Sequence, residues 1–350
     1  MDVALMIIVN SPGSWTTTYS PLLLADWHGF TLTELVFPTF LFVVGNSMGF
    51  TLPSYESMGD GEFLKKILKR TVIIFLLGFL MYWFPFFENG QLKPLSETRI
   101  FGVLQRIALC YLFASLIIHY WKVKGALIFS LLALVLYRVL LGAFGDLSLE
   151  GNAVLKLDTF LFGESHLYHG EGLAFDPEGL LSTLPAIVNV IAGYLTGLYL
   201  QKNGQHYETL AKMMMAGCAL IFMALWWDLF FPINKKLWTS SFVLHTVGID
   251  LLVLPVLVFI IDIARKTRWT YFFEVFGKNT LFIYLLSEFF IIILFTTQIG
   301  EQNSYRWIAQ HIFESWLGGY KGSLAFALWI MLTCWAVGYV MDKKKIYVKI

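Results

Sequence analysis

Runs of about twenty apolar residues recur along nearly the whole of this 350-residue chain, each closed by a short polar stretch. At 1.5 Å per residue, such a run crosses the ~30 Å hydrocarbon core of a bilayer. No water is available there, so a spanning segment satisfies its backbone as a helix or within a closed barrel. Apolar residues make up 57% of the chain and charged residues 14%. A soluble domain carries roughly 45–50% and about 25%, so there is too little charge here to coat a water-borne globule. The expectation is an all-α, polytopic transmembrane helical bundle of about ten spans, forming one integral membrane domain over residues 1–350.

The expected helices run up to Asn10 and over Thr31–Leu52, Leu64–Phe86, Ile100–Tyr120, Gly125–Leu141, Glu178–Leu200, Thr209–Phe231, Ser240–Ile261, Phe272–Phe295 and Gly322–Met341. The first reaches only ~15 Å, half a hydrocarbon core, so the chain reads as starting inside its first helix. Lysine and arginine in the loops set the orientation. Fifteen lie at one set of ends (Lys65, Lys66, Lys69 and Arg70; Lys122 and Lys124; Lys202 and Lys212; Arg265, Lys266 and Arg268; Lys343, Lys344, Lys345 and Lys349). Seven lie at the other (Lys93, Arg99, Lys156, Lys235, Lys236, Arg306 and Lys321). This places the C-terminus in the cytoplasm, with the 11–30, 142–177 and 296–321 loops outside. Lys235 and Lys236 run against the rule, so something besides topology holds them.

The soluble enzyme classes are excluded. The near-neutral charge and the lack of a basic block interleaved with aromatics argue against nucleic acid. Cys110, Cys218 and Cys334 fall in apolar stretches and read as small hydrophobes, with no metal site expected. No Gly-rich phosphate loop or nucleophile elbow is present.

Ionisable groups inside spans are costly and point to function, or else to structural ion pairs. With this topology Glu34, Arg106 and His245 lie near the outer ends of their helices, Asp250 near mid-membrane and Glu288 beyond it. Arg138 and Asp228 read as structural groups at outer helix ends. Glu274 and Lys278 are spaced to pair on one helix face. The polar interior is thus biased outward, as an outward-facing cavity would require. Gly45-x-x-x-Gly49 and Gly193-x-x-x-Gly197 read as faces for close helix packing. Ser304–Leu317 is amphipathic and suited to lying on the outer leaflet.

Several segments converge on that outer mouth: Asp26-Trp27-His28-Gly29 leading into Glu34, Gly102–Ala108 with Arg106, Asp176-Pro177-Glu178-Gly179, and Asn234-Lys235-Lys236-Leu237-Trp238. With Val-Asn-x-Pro-Gly-Ser-Trp at Val9–Trp15 and Tyr284–Glu288, these segments make the chain resemble the heparan-α-glucosaminide N-acetyltransferases and their bacterial relatives of the DUF5009 type, some of which are described as N-acetylglucosamine transporters. The resemblance runs from Val9 to Lys345.

What the resemblance implies is a transmembrane acetyltransferase in a bacterial inner membrane. It would move an acetyl group from acetyl-CoA to an amino sugar or glycan amine on the non-cytoplasmic side, with room for a homodimer. The family pairs an Asn at the outer end of the first helix with a His in the first loop. The Asn corresponds to Asn10, whose amide suits a developing oxyanion. Leu24 stands at the His position and cannot act as a base. His28 is the nearest imidazole and the candidate replacement, or else it only lines the mouth. Asp26, Trp27, Glu34, Arg106, Asp176, Glu178, Asn234, Lys235, Trp238, His245 and Glu288 are the candidate substrate-binding residues, with Arg106 built for bidentate grip of an anion. Two other readings keep the scaffold and drop the chemistry: an amino-sugar or glycan transporter, and a non-catalytic membrane sugar-binding protein.

Overall fold

The structure, a computed structural model, describes residues 1–55, 59–88 and 90–348; Lys349 of the cationic rim lies outside them. Thirteen helices are seen among the described residues: α1 (Asp2–Asn10), α2 (Leu32–Thr51), α3 (Asp60–Trp83), α4 (Val103–Phe144), α5 (Ala153–Phe162), α6 (Thr183–Asn203), α7 (Tyr207–Asp228), α8 (Ser240–Val258), α9 (Thr270–Lys278), α10 (Thr280–Thr296), α11 (Ser304–Ile308), α12 (Ser315–Leu317) and α13 (Gly319–Lys343). Strand is confined to two short hairpins.

The helical bundle is as expected, but the number of spans is not. Among the described residues six helices are long and apolar enough to cross a bilayer, and seven if α9 and α10, bent by 84°, form one span. Three differences account for the gap from ten. α1 has nine residues. α3 carries Lys65, Lys66, Lys69 and Arg70 in its first half, which leaves a charge-poor stretch shorter than a span. The segments expected at Ile100–Tyr120 and Gly125–Leu141 are two helices that meet at Lys122, where φ is 54°, and run on so closely that the stretch Val103–Phe144 counts once, as α4. The break falls where the sequence places the Lys122–Lys124 connection. Several apolar membrane-capable helices make this a multi-pass membrane protein.

The chain forms two compact units. The terminal unit comprises Met1–Ala25, Thr31–Phe37 and Lys266–Ile350, and the central unit Asp26–Phe30 and Pro38–Arg265.

In the terminal unit α1 packs on α13 and α10. The stretch after α1 is pinned to α13, with the Gly13 amide donating to the Ser323 carbonyl (3.2 Å) and the Ser14 amide to Ser323 Oγ (3.1 Å). Tyr305 stacks on Phe295 and donates to the Pro12 carbonyl at 2.8 Å. Of the amphipathic segment expected on the outer leaflet, Tyr305 and Ala309 are therefore inside and Trp316 is 82% exposed. The expected Glu274–Lys278 pair does not form. Glu274 accepts from Thr270 Oγ1 (2.7 Å), while Lys278 reaches Asp342 (2.8 Å), a closer-fitting partner on α13.

In the central unit α2 and α6 cross through their glycines. A Cβ added to Gly45 would lie 1.8 Å from the Val190 carbonyl oxygen, and one on Gly193 1.8 Å from that of Phe42. The two motifs read from the sequence thus face each other, and backbone touches backbone where no side chain fits. Gly49 is looser, with its nearest atoms at 3.4 Å. Above this crossing Tyr137, Leu141, Ala153, Val154, Phe175, Phe231 and Leu237 form a buried platform, with Trp27 and Trp227 packed on it. It joins the end of α4 to α5 and to the loops before α6 and α8, and so holds those loops in register.

Overpacking a tight helix crossing costs about 1–3 kcal/mol. Gly45→Ala and Gly193→Ala should each lower the thermal midpoint in detergent, and Gly49→Ala should leave it nearly unchanged. Equal behaviour of all three would sink the crossing as described.

Candidate functional site

The loop before α4 and the Asp176–Ser182 turn before α6 meet over the platform, and charge organises the meeting. Arg99 donates from Nε to Asp176 Oδ2 (2.9 Å), and from Nη2 to Asp176 Oδ1 (2.7 Å) and Glu178 Oε2 (2.7 Å). Its guanidinium lies between the rings of Tyr82 and Tyr168, 4.8 and 4.7 Å from their centroids. Burial opposes the charge, but Tyr82, Asp176 and Glu178 outweigh it and hold the Arg99 pKa well above its ordinary value. The Asp176 carboxylate also accepts the Glu178 amide at 3.0 Å, so the turn is fastened to the acid it presents.

Beneath this triad lies Arg106, fully buried. Its Nη2 donates to the Gly179 carbonyl at 3.0 Å and to the Ser182 hydroxyl. The guanidinium packs 4.9 Å from the Trp238 ring centroid. Nε and Nη1 have no hydrogen-bond partner among the described residues. Trp238 is fully buried with φ at 52°, a left-handed conformation rare for a bulky residue. Its indole N–H donates to Asn189 Oδ1 at 3.1 Å, and the Asn189 amide donates to Thr246 Oγ1 at 3.2 Å. Arg106 is thus seated in a buried polar layer of α4, α6 and α8, with two nitrogens unpartnered among the described residues.

α5 adds an acid. Asn152 caps the helix by accepting the Leu155 amide (2.8 Å), and Val154 and Asp158 fall one turn apart on its buried face. Asp158 Oδ1 accepts the Leu180 amide at 3.1 Å, whereas Oδ2 is buried with no partner among the described residues. A Cβ on Gly179 would sit 1.9 Å from Oδ2, so only glycine lets the turn come this close. Burial pushes the Asp158 pKa up to about 7.

His28 lies in a different setting. Asn234 is fully buried, and its Oδ1 accepts the Leu237 amide at 2.7 Å. That fixes the amide so that Nδ2 faces His28 Nδ1 at 3.2 Å. Nδ1 is then the acceptor and the ring proton sits on Nε2. Loss of water around the ring lowers the His28 pKa, against the pull of Asp228. His28 is therefore a neutral imidazole that offers a donor, with its lone pair already engaged.

The other expected site residues have the following surroundings. Trp27 donates to the Leu147 carbonyl (2.7 Å) and packs edge-on to Phe175. The Asp26 carbonyl accepts from Lys236 Nζ at 2.9 Å, and Lys236 also pairs with Glu171 at 2.5 Å, so that lysine is held by specific partners. Lys235 is half-buried and lowers the Glu178 proton affinity through its charge. His245 meets Phe30 edge-on at 4.6 Å, and Thr39 donates to Asp250 at 2.7 Å. In the terminal unit Glu34 caps α2, taking the Ala25 amide at 2.9 Å and the Thr31 amide on its two oxygens, as in a capping box. Asn10 is exposed at the end of α1, Leu24 is 38% exposed and Glu288 is half-buried. His28 belongs to the central unit and Asn10 to the terminal one.

The clustering of Arg106, Trp238, Asp176 and Glu178 in one unit matches the motifs that suggested a resemblance. The chain is similar along its length to heparan-α-glucosaminide N-acetyltransferases. It is 27% identical to the Mus musculus enzyme of that name over 416 residues, covering 100% of this chain and 59% of the relative. To the Homo sapiens enzyme it is 28% identical over 409 residues, covering 99% and 58%. It therefore spans less than two thirds of the relatives' length. No family model matches the sequence. The similarity bears out the family-level resemblance read from the motifs.

Arg99, Asp158 and Asn189 escaped the sequence reading. Arg99 counted as an ordinary outer-loop cation. Asp158 could have been found by reading α5 as a helix from Asn152, which puts its carboxylate on the apolar side.

Asp158 carries a pH signature. Its folded pKa is about 7 against 3.8 unperturbed. Between these values the folded state holds the extra proton, so stability falls as pH rises through that window and levels off above it, by on the order of 4 kcal/mol. Asp158→Asn should remove this component and melt above the wild type at pH 8. A variant with the wild-type pH slope would overturn the assignment.

Proposed function

We propose that this protein is a transmembrane N-acetyltransferase that moves an acetyl group from acetyl-CoA to the amine of an amino sugar or glycan at the non-cytoplasmic face, in a bacterial inner membrane with the C-terminus cytoplasmic. The observation that carries the reading is the similarity of the whole chain to two N-acetyltransferases of a glucosaminide. The amine nitrogen attacks the thioester carbon, the C–N bond forms, the C–S bond breaks, and CoA leaves as a thiolate that takes up the proton the nitrogen sheds in becoming an amide. The ammonium must first lose its proton, and a group near neutrality suits that transfer. Asn10 is the donor in this reading, holding the carbonyl oxygen as charge develops. Within the central unit, the Arg99–Asp176–Glu178 triad and Arg106 are the polar groups suited to sugar hydroxyls.

A second reading is favoured by two specific observations: Leu24 stands where the resemblance implies a base, and the His28 lone pair is taken by Asn234. A transporter or sugar-binding protein on the same scaffold needs neither.

Purified protein given acetyl-CoA and glucosamine is expected to yield N-acetylglucosamine by mass spectrometry, with Asn10→Ala lowering kcat by about 100-fold. Leu24→His should raise the rate. Labelled glucosamine accumulating unmodified in proteoliposomes, with no acetylated product from any amino sugar tried, would select the transporter instead.

A further inference from the structure

The lysine-rich end of the terminal unit is more than a rim of solvated charge. α13 ends at Lys343, and the chain reverses at once: the Lys345 amide donates to the Asp342 carbonyl (3.0 Å) and the Ile346 amide to that of Met341 (2.9 Å). The tail then lies along the break between α9 and α10. Asn279, buried at that break, clamps it from both sides, with Nδ2 donating to the Ile346 carbonyl (3.0 Å) and Oδ1 accepting the Val348 amide (2.9 Å). Asp342 completes the fastening by accepting from Tyr271 (2.9 Å), Lys278 (2.8 Å) and Tyr347 (3.0 Å).

The surface built this way combines two kinds of group. Lys266, Arg268, Lys343, Lys344 and Lys345 are exposed, and among the described residues no acid pairs with Lys344 or Lys345. Beside them Ile346, Tyr347 and Val348 are 48%, 40% and 50% exposed, and Trp269 and Tyr271 38% and 37%. Lys343 lies over the rings of Tyr339 and Tyr271. Aliphatic and indole groups next to unpaired ammonium groups suit neither open water nor hydrocarbon. They suit the layer of a bilayer where headgroup phosphates meet the first acyl carbons.

We propose that this clamped tail, with the start of α9, is a binding surface for anionic phospholipid headgroups: the lysines and Arg268 contact the phosphates, and Trp269, Ile346 and Val348 enter the layer beneath. The proposal goes beyond the acetyltransferase reading and does not need it. Because Asn279 and Asp342 hold the tail against α9 and α10, lipid bound here stabilises the bent pair.

The full chain in nanodiscs tests this. Replacing pure phosphatidylcholine with a mixture holding about 30% phosphatidylglycerol should raise the thermal midpoint by about 5 °C or more. The Lys266→Gln, Lys344→Gln, Lys345→Gln triple variant should lose at least half of that rise and retain fewer phosphatidylglycerol molecules by native mass spectrometry. The matching Lys→Arg variant should keep both. Inorganic phosphate at about 10 mM, added to phosphatidylcholine discs, should change nothing. The proposal is overturned if the Gln variant keeps the full rise, if phosphate alone reproduces it, or if phosphatidylglycerol has no effect.

Discussion

A charge taken out of water must find hydrogen bonds for each of its polar atoms, and no other constraint shapes as much of this protein. Arg99 meets it with three charge-assisted bonds to two acids and two aromatic faces. In doing so it decides where the loop before α4 and the turn before α6 can lie. That turn in turn presents Gly179 and Ser182 to Arg106, which places a second guanidinium under the first. The membrane-facing helices supply apolar bulk, but bulk alone would leave these loops free to slide. Breaking a buried pair by removing one partner costs about 3–5 kcal/mol, well above most surface contacts.

The constraint is met unevenly. Among the described residues Arg106 keeps two nitrogens without partners, and Asp158 one oxygen, in the same electrostatic neighbourhood. Protonation answers the shortfall at Asp158, since a neutral carboxyl tolerates burial that a carboxylate does not. An arginine has no such escape at any ordinary pH. Its answer is the Trp238 face, a ligand, or both. Buried polar groups left partly satisfied are where function is most often found.

The sequence made the helical bundle legible because the bilayer imposes a length and a composition that survive any detail of packing. It made Gly45 and Gly193 legible as close-packing positions because small residues at four-residue spacing have few other uses in lipid, but not that they meet each other. Span number was harder to read, since a hydropathy run does not show that the helix starting at Asp60 spends its first half on lysine and arginine or that α9 turns sharply into α10. Arg106, Asp176 and Glu178 could be singled out because charge in or beside an apolar run is conspicuous. Arg99 could not, because a loop arginine looks the same whether it is solvated or clamped. Glu34 shows the reverse error: an acid at the start of a span reads as functional, yet both its oxygens are spent on backbone amides.

The left-handed backbone at Trp238 bears on how the molecule assembles. Such a conformation costs a bulky side chain on the order of 1–3 kcal/mol, so the Asn234–Thr239 turn does not select it by local preference. Besides the turn's own hydrogen bonds, what holds it is the ring seated on Arg106 and tied to Asn189, two residues from α4 and α6 that are distant in sequence. The entry of α8 thus depends on side chains of two other helices, and a change at either is transmitted to it through one indole ring.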